Sequence, residues 1–252
     1  MSDFNRWNTT APGYTGTTVA VDAGLRAYMV RVYNYMAAAV ALTGVVAWFT
    51  FQAAVTTDAS GAIVGLTSFG QTIFSGPAMI VLVLATLGLV FFISFRIQNL
   101  QYTTALTLFM LYAGLLGVMT SSIFLAYTGA SITRVFFISA ASFGALSLYG
   151  YTTQRDLSPM GSFLLMGLFG IIIASLVNIF LKSSGLDWVI SVIGVGVFAG
   201  LTAYDTQRIK EMYSSTDDAG TLGRKAVMGA LSLYLDFINL FMMLLRLVGD
   251  RR

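Results

Sequence analysis

Seven unbroken apolar runs follow one another along the chain, near residues 31–54, 74–95, 102–127, 131–153, 160–181, 187–209 and 229–248. Each is long enough, as a helix of roughly 20 residues, to cross a hydrocarbon core of about 30 Å. The runs are continuous rather than alternating, which predicts helices and not barrel strands. Connections are short except for a Gly/Ser/Thr-rich stretch at 55–73 and a charged stretch at 210–226. Within "RDLSPMG", residues 155–161, Ser158 suits a helix cap and Pro159 the first turn, so the fourth and fifth spans separate there. No linker divides two cores. The pattern predicts an all-α membrane protein, with one seven-helix domain over 28–252. The polar stretch 1–27 has no apolar segment of signal-peptide type and reads as a flexible cytoplasmic tail.

Composition agrees with this and narrows the chemistry. Of 252 residues, 57% are hydrophobic and 10% charged, against about 25% charged in soluble domains. The chain has no Cys and no His, which removes disulfides, thiolate nucleophiles, imidazole bases, haem ligation through His or Cys and the common zinc sites. The net charge of +3 is small and its cations are scattered, so no nucleic-acid partner is expected. With the N-terminus cytoplasmic, that side holds Arg6, Arg26, Arg31, Arg96, Arg155, Arg208, Lys210, Arg224 and Lys225. The other side holds Arg134, Lys182, Arg246, Arg251 and Arg252. The excess of positive charge favours this orientation.

Two carboxylates break the apolar pattern. Asp205 in "GLTAYDTQRIK" and Asp236 in "SLYLDFINLF" both fall inside predicted spans, the sixth and the seventh. With those helices ending at Ile209 and starting near Ala230, the two lie about 6 and 9 Å from the same membrane boundary at 1.5 Å per residue. A single membrane Asp also serves as a structural hydrogen-bond acceptor. Two at matched depth point to function, because ionisable groups inside a bilayer are costly. Carboxylates in contact cannot both ionise cheaply, so the pair shares a proton and can sense pH without any histidine.

Around the pair, Arg96 at the end of the second span is a candidate partner cation, or else an anchor of topology, and Arg208 is a local alternative. On the seventh span, Ser232, Asp236, Asn239, Met243 and Arg246 share one helical face. That polar stripe turns inward and brings the helix to the bundle centre, with Ser232 and Asn239 as candidate pore-facing groups. Gly196/Gly200 and Ala140/Gly144 have the spacing of close helix packing.

The residue set weighs against several classes. A Ser–His protease lacks its base, the GxGD setting of intramembrane aspartyl proteases is absent, and Lys182, Lys210 and Lys225 sit at helix ends, where no retinal Schiff base forms. A receptor, a transporter and an ion leak remain.

Three motifs, "YGYTTQRDLSPMGSFLLMGLFG" (149–170), "GLTAYDTQRIKEMY" (200–213) and "ALSLYLDFINLFMMLLRLVG" (230–249), resemble the bacterial branch of the Bax inhibitor (transmembrane Bax inhibitor motif, TMBIM) family. The resemblance covers roughly 26–249. It implies a seven-helix bundle with helix seven central, in the bacterial inner membrane, without cofactor. It also implies a pH-sensitive calcium leak gated by a di-aspartyl pair at Asp205 and Asp236, with the family's arginine at Arg96. The pair would then be a transient calcium site, short of the six to eight oxygens calcium prefers. Other family members imply a different class, a non-conducting protein that modulates a membrane-bound AAA protease or a stress response.

Overall fold

In lipid, every backbone N–H and C=O has to be satisfied within the segment, and the chain meets this with helices. The computed structural model describes residues 15–59 and 62–252. Its elements are α1 (Thr15–Ala54), a short antiparallel hairpin of β1 (Val55–Thr57) and β2 (Ile63–Leu66), then α2 (Ser68–Ile73), α3 (Gly76–Arg96) and the 3₁₀ turn η1 (Ile97–Asn99). They continue as α4 (Tyr102–Thr120), α5 (Ile123–Ala126), α6 (Gly129–Thr152), α7 (Ser158–Leu181), α8 (Ser184–Glu211) and α9 (Ala219–Val248). Seven helical stretches are long and apolar enough to cross a membrane: Ala23–Ala54, Gly76–Asn99, Tyr102–Ala126, Gly129–Thr152, Ser158–Leu181, Ser184–Glu211 and Ala219–Val248. The turns at 97–101, 153–157 and 212–218 share one face of the bundle, the near face. The hairpin and the C-terminus lie on the far face.

Three boundaries differ from expectation. Helix already covers 15–27, the later part of the predicted tail, while residues 1–14 of that tail lie outside the described residues. The charged stretch 210–226 is largely helix, because Asp218 caps α9 by accepting from the N–H groups of Gly220 (2.8 Å) and Thr221 (3.1 Å). Ser158 is the first residue of α7 rather than its cap, and its N–H is held by Asp156 Oδ1 at 2.8 Å.

The Asp218 cap has a pH signature. The Thr221 hydroxyl, together with backbone N–H groups, holds this carboxyl below its ordinary range. A group so held adds stability above its unfolded value, near 3.9, that is lost as the pH falls through the folded value. Asp218→Ala is therefore expected to melt earlier than the parent at pH 7, with the gap closing in acid below about pH 4. Thermal unfolding in detergent at several pH values measures it.

Burial separates the spans. In α9, 61% of the most apolar window is buried, against 11% for α3 and for α7, which face outward. α9 packs against α1, α4, α6 and α8. Turning only the polar stripe inward does not describe it. Asp236 and Met243 of the stripe are buried, but so are Leu233, Tyr234, Phe237, Leu240 and Phe241 off it, while Ser232 and Asn239 are half-buried. A helix apolar nearly all round belongs in a core, and burying those rings outweighs a preference for one polar face. The small-residue spacings also divide. A Cβ on Gly200 would meet Leu164 of α7 at 2.6 Å, whereas Gly196 and Gly144 have nothing within 4 Å.

Candidate functional site

Two contacts set the register of α8 against α9. Added carbons at Gly229 and Gly194 would meet Ile209 at 2.9 Å and Met243 at 2.8 Å, so the helices run antiparallel with residues 209 and 229 at one level and 194 and 243 at another. Asp205 lies four residues from the first level along α8 and Asp236 seven along α9. At 1.5 Å per residue these are about 6 and 10 Å, so the carboxylates differ in height by less than one helical turn. Neither carboxylate forms an ion pair with a cation among the described residues.

Each carboxylate is aimed by a neighbour on its own helix. Two residues before Asp236, the hydroxyl of Tyr234 bonds Thr43 Oγ1 of α1 at 2.7 Å, and its ring meets Phe109 and Tyr112 of α4 edge-on at 5.6 and 5.9 Å. Positions two apart differ by about 200° around a helix. Clamping Tyr234 toward α1 and α4 thus turns Asp236 the other way. On α8, Thr206 beside Asp205 is held by Ser147 of α6 at 2.9 Å, and Ser147 by Tyr33 of α1 at 2.5 Å. Thr206 donates to its own Thr202 carbonyl at 2.7 Å, so this chain of hydroxyls ties three helices together. Asp205 is half-buried. Asp236 is 5% exposed, the most enclosed charged residue among those described, and its Oδ2 is buried with no hydrogen-bond partner.

The other expected residues are less engaged. Arg96 is exposed at the end of α3 and makes no ion pair among the described residues. Arg208 is exposed, and Asn239 Nδ2 donates to Leu235 O on its own helix at 2.8 Å. Among the described residues no three carboxylates gather as a metal site. Since Arg96 makes no ion pair, Arg96→Ala is expected to leave the midpoint of any pH-dependent flux unchanged. A displaced midpoint in vesicles would show that Arg96 does reach the pair.

One residue absent from the sequence reading holds the near-face end of α8. Gln207 accepts from Leu157 N at 2.8 Å and donates to Arg155 O at 2.8 Å, pinning the 153–157 turn. An amide two residues after a membrane Asp was its only signal. Its role lies in the α6–α7 turn, which presents both a donor, Leu157 N, and an acceptor, Arg155 O.

Seven apolar spans, two of which carry a carboxylate and one of those buried, define a polytopic α-helical membrane protein. The chain belongs to the Bax inhibitor family, as its three motifs imply, for the family described as Inhibitor of apoptosis-promoting Bax1 matches residues 25–252. It is 49% identical to inner membrane protein YbhL of Escherichia coli (strain K12) over 232 residues, 91% of this chain and 94% of that one. It is also 49% identical to protein RP147 of Rickettsia prowazekii (strain Madrid E) over 257 residues, 100% of both chains. A Lactococcus lactis relative, YrjE, is 37% identical over 227 residues, 90% of this chain and 92% of its own.

Proposed function

We propose that this protein is a pH-sensitive calcium leak of the bacterial inner membrane, gated by Asp205 and Asp236. The observation that carries the reading is Asp236 Oδ2, buried and without a partner among the described residues, on a carboxylate that stands within one helical turn in height of a second one on the antiparallel neighbour helix. A buried acceptor left unsatisfied costs about 1–3 kcal/mol, more when charged. A proton held by the pair removes that cost and ties α8 to α9, while losing it leaves two like charges in an apolar interior. The tie and the repulsion favour different packings of the two helices. Calcium is the cargo, met by the carboxylate oxygens in passing and not held.

The inner-membrane assignment follows YbhL, and the distribution of Lys and Arg supports a cytoplasmic N-terminus. The test is calcium flux into liposomes that contain only the purified protein, followed against pH. Vesicles that pass nothing at any pH would support the second reading, a non-conducting module that modulates a membrane-bound AAA protease.

A further inference from the structure

At the near-face end of the bundle, α1 and α6 flank a cleft of about 620 Å³ whose lining includes Tyr33 and Ser147 of the hydroxyl chain but neither carboxylate. Its walls are mainly apolar, with Met29 and Val30 from α1 and Phe143 and Leu148 from α6, beside the hydroxyl-bearing Tyr33, Ser147 and Tyr151. Val30 is 50% and Leu148 63% exposed, so the cleft opens sideways, toward the bilayer rather than the bundle. Gly144 forms part of the α6 wall with nothing within 4 Å of where a Cβ would sit, which deepens the groove. At its outer end stands Arg26, exposed and pairing with no carboxylate among the described residues. From Arg26 to Tyr33 the cleft runs about 10 Å along α1 at 1.5 Å per residue. That is most of one leaflet's share, about 15 Å, of the hydrocarbon core.

A cation at the membrane interface, set over an apolar slot that opens into lipid, has the two halves of a phospholipid's chemistry in the right order. Basic pockets between membrane helices recognise anionic headgroups. A soluble ligand has no reason to meet the exposed Val30 and Leu148, whereas the bilayer surrounds them at all times.

We propose that this cleft is a site for one anionic phospholipid of the near-face leaflet, its phosphate on Arg26 and the upper part of one acyl chain between α1 and α6. The site is independent of the calcium reading.

The full chain is reconstituted in vesicles of phosphatidylglycerol and phosphatidylcholine in equal amounts, extracted gently, and weighed with its retained lipid by native mass spectrometry. The parent is expected to retain phosphatidylglycerol preferentially. Arg26→Gln should lower that preference about fivefold, the share of one interfacial cation. Gly144→Leu should lose the retained lipid of both kinds. Gly144→Ala, whose added carbon meets nothing within 4 Å, supplies a milder filling that does not threaten the fold and should weaken retention. An undiminished phosphatidylglycerol preference in Arg26→Gln overturns the proposal, as does full retention in both Gly144 variants. Displacement of the lipid by excess inorganic phosphate would also overturn it, by showing an anion site without a chain site.

Discussion

Proteoliposomes holding only this protein are expected to pass calcium at a rate that changes steeply between about pH 5.5 and 8, the interval in which a proton-sharing carboxylate pair can act as a sensor. In Asp205→Asn and in Asp236→Asn the rate should become flat over that interval, since an amide neither holds nor releases the proton. The loss of one hydrogen bond to a charged group is worth about 1.5–3 kcal/mol. That bias moves a closed-to-open ratio by roughly 10- to 100-fold, so the parent should span about that range of rates between the two ends of the titration. Because the proposed gate is one proton shared by Asp205 and Asp236, the double variant should match either single one instead of adding to it. Single variants that keep the parent's profile, or losses that simply sum, would make the carboxylates structural.

The second large effect is expected at a glycine. The Cβ of Gly150→Ala would run into the backbone carbonyl of Ala203, which is 3% exposed and two residues before Asp205. A side chain could swing aside, but the backbone of α8 cannot. α6 and α8 must therefore part. Overpacking of this kind costs about 1–3 kcal/mol and occasionally more, and it should lower the melting temperature in detergent. It should also alter the pH profile of the flux, because the displaced turn carries Asp205. Gly196→Ala is the matched control: it adds the same carbon to the neighbouring helix where nothing lies within 4 Å, and it should melt no earlier than the parent. Equal melting of the two variants would show that the α6–α8 approach is not fixed by Gly150.

These expectations show what periodicity can and cannot reveal. The seven spans were legible because a helix in lipid must be long and continuously apolar, and the boundaries near 54, 102 and 181 fall within a few residues of those observed. The start of α9 was missed by about ten residues, since charges in 219–228 disguise helix turns that are held by the Asp218 cap. Asp205 and Asp236 stood out because a carboxylate among leucines has no ordinary reason to be there. Gly150 and Gln207 did not, because their roles are relations between helices: a close approach to Ala203 and a pinned turn at 155–157. Spacing along one helix cannot distinguish Gly150 from Gly144, which faces an open groove. The same limit explains the stripe on α9. Period alone identifies a polar face but not how many neighbours surround the helix.

The short C-terminal segment beyond α9 folds back on the end of α5 and the start of α6. Arg252 N donates to Ala126 O at 3.0 Å, Asp250 N to Ser131 Oγ at 2.8 Å, and Asp250 pairs with Arg134 at 2.9 Å. At the other end, Lys225 bonds Met212 O at 2.8 Å and Asp217 at 2.5 Å. A rod bolted at both ends cannot slide as a piston, and because the near bolt runs to the cap of α8 and the loop that follows it, α8 and α9 are yoked together at the near face.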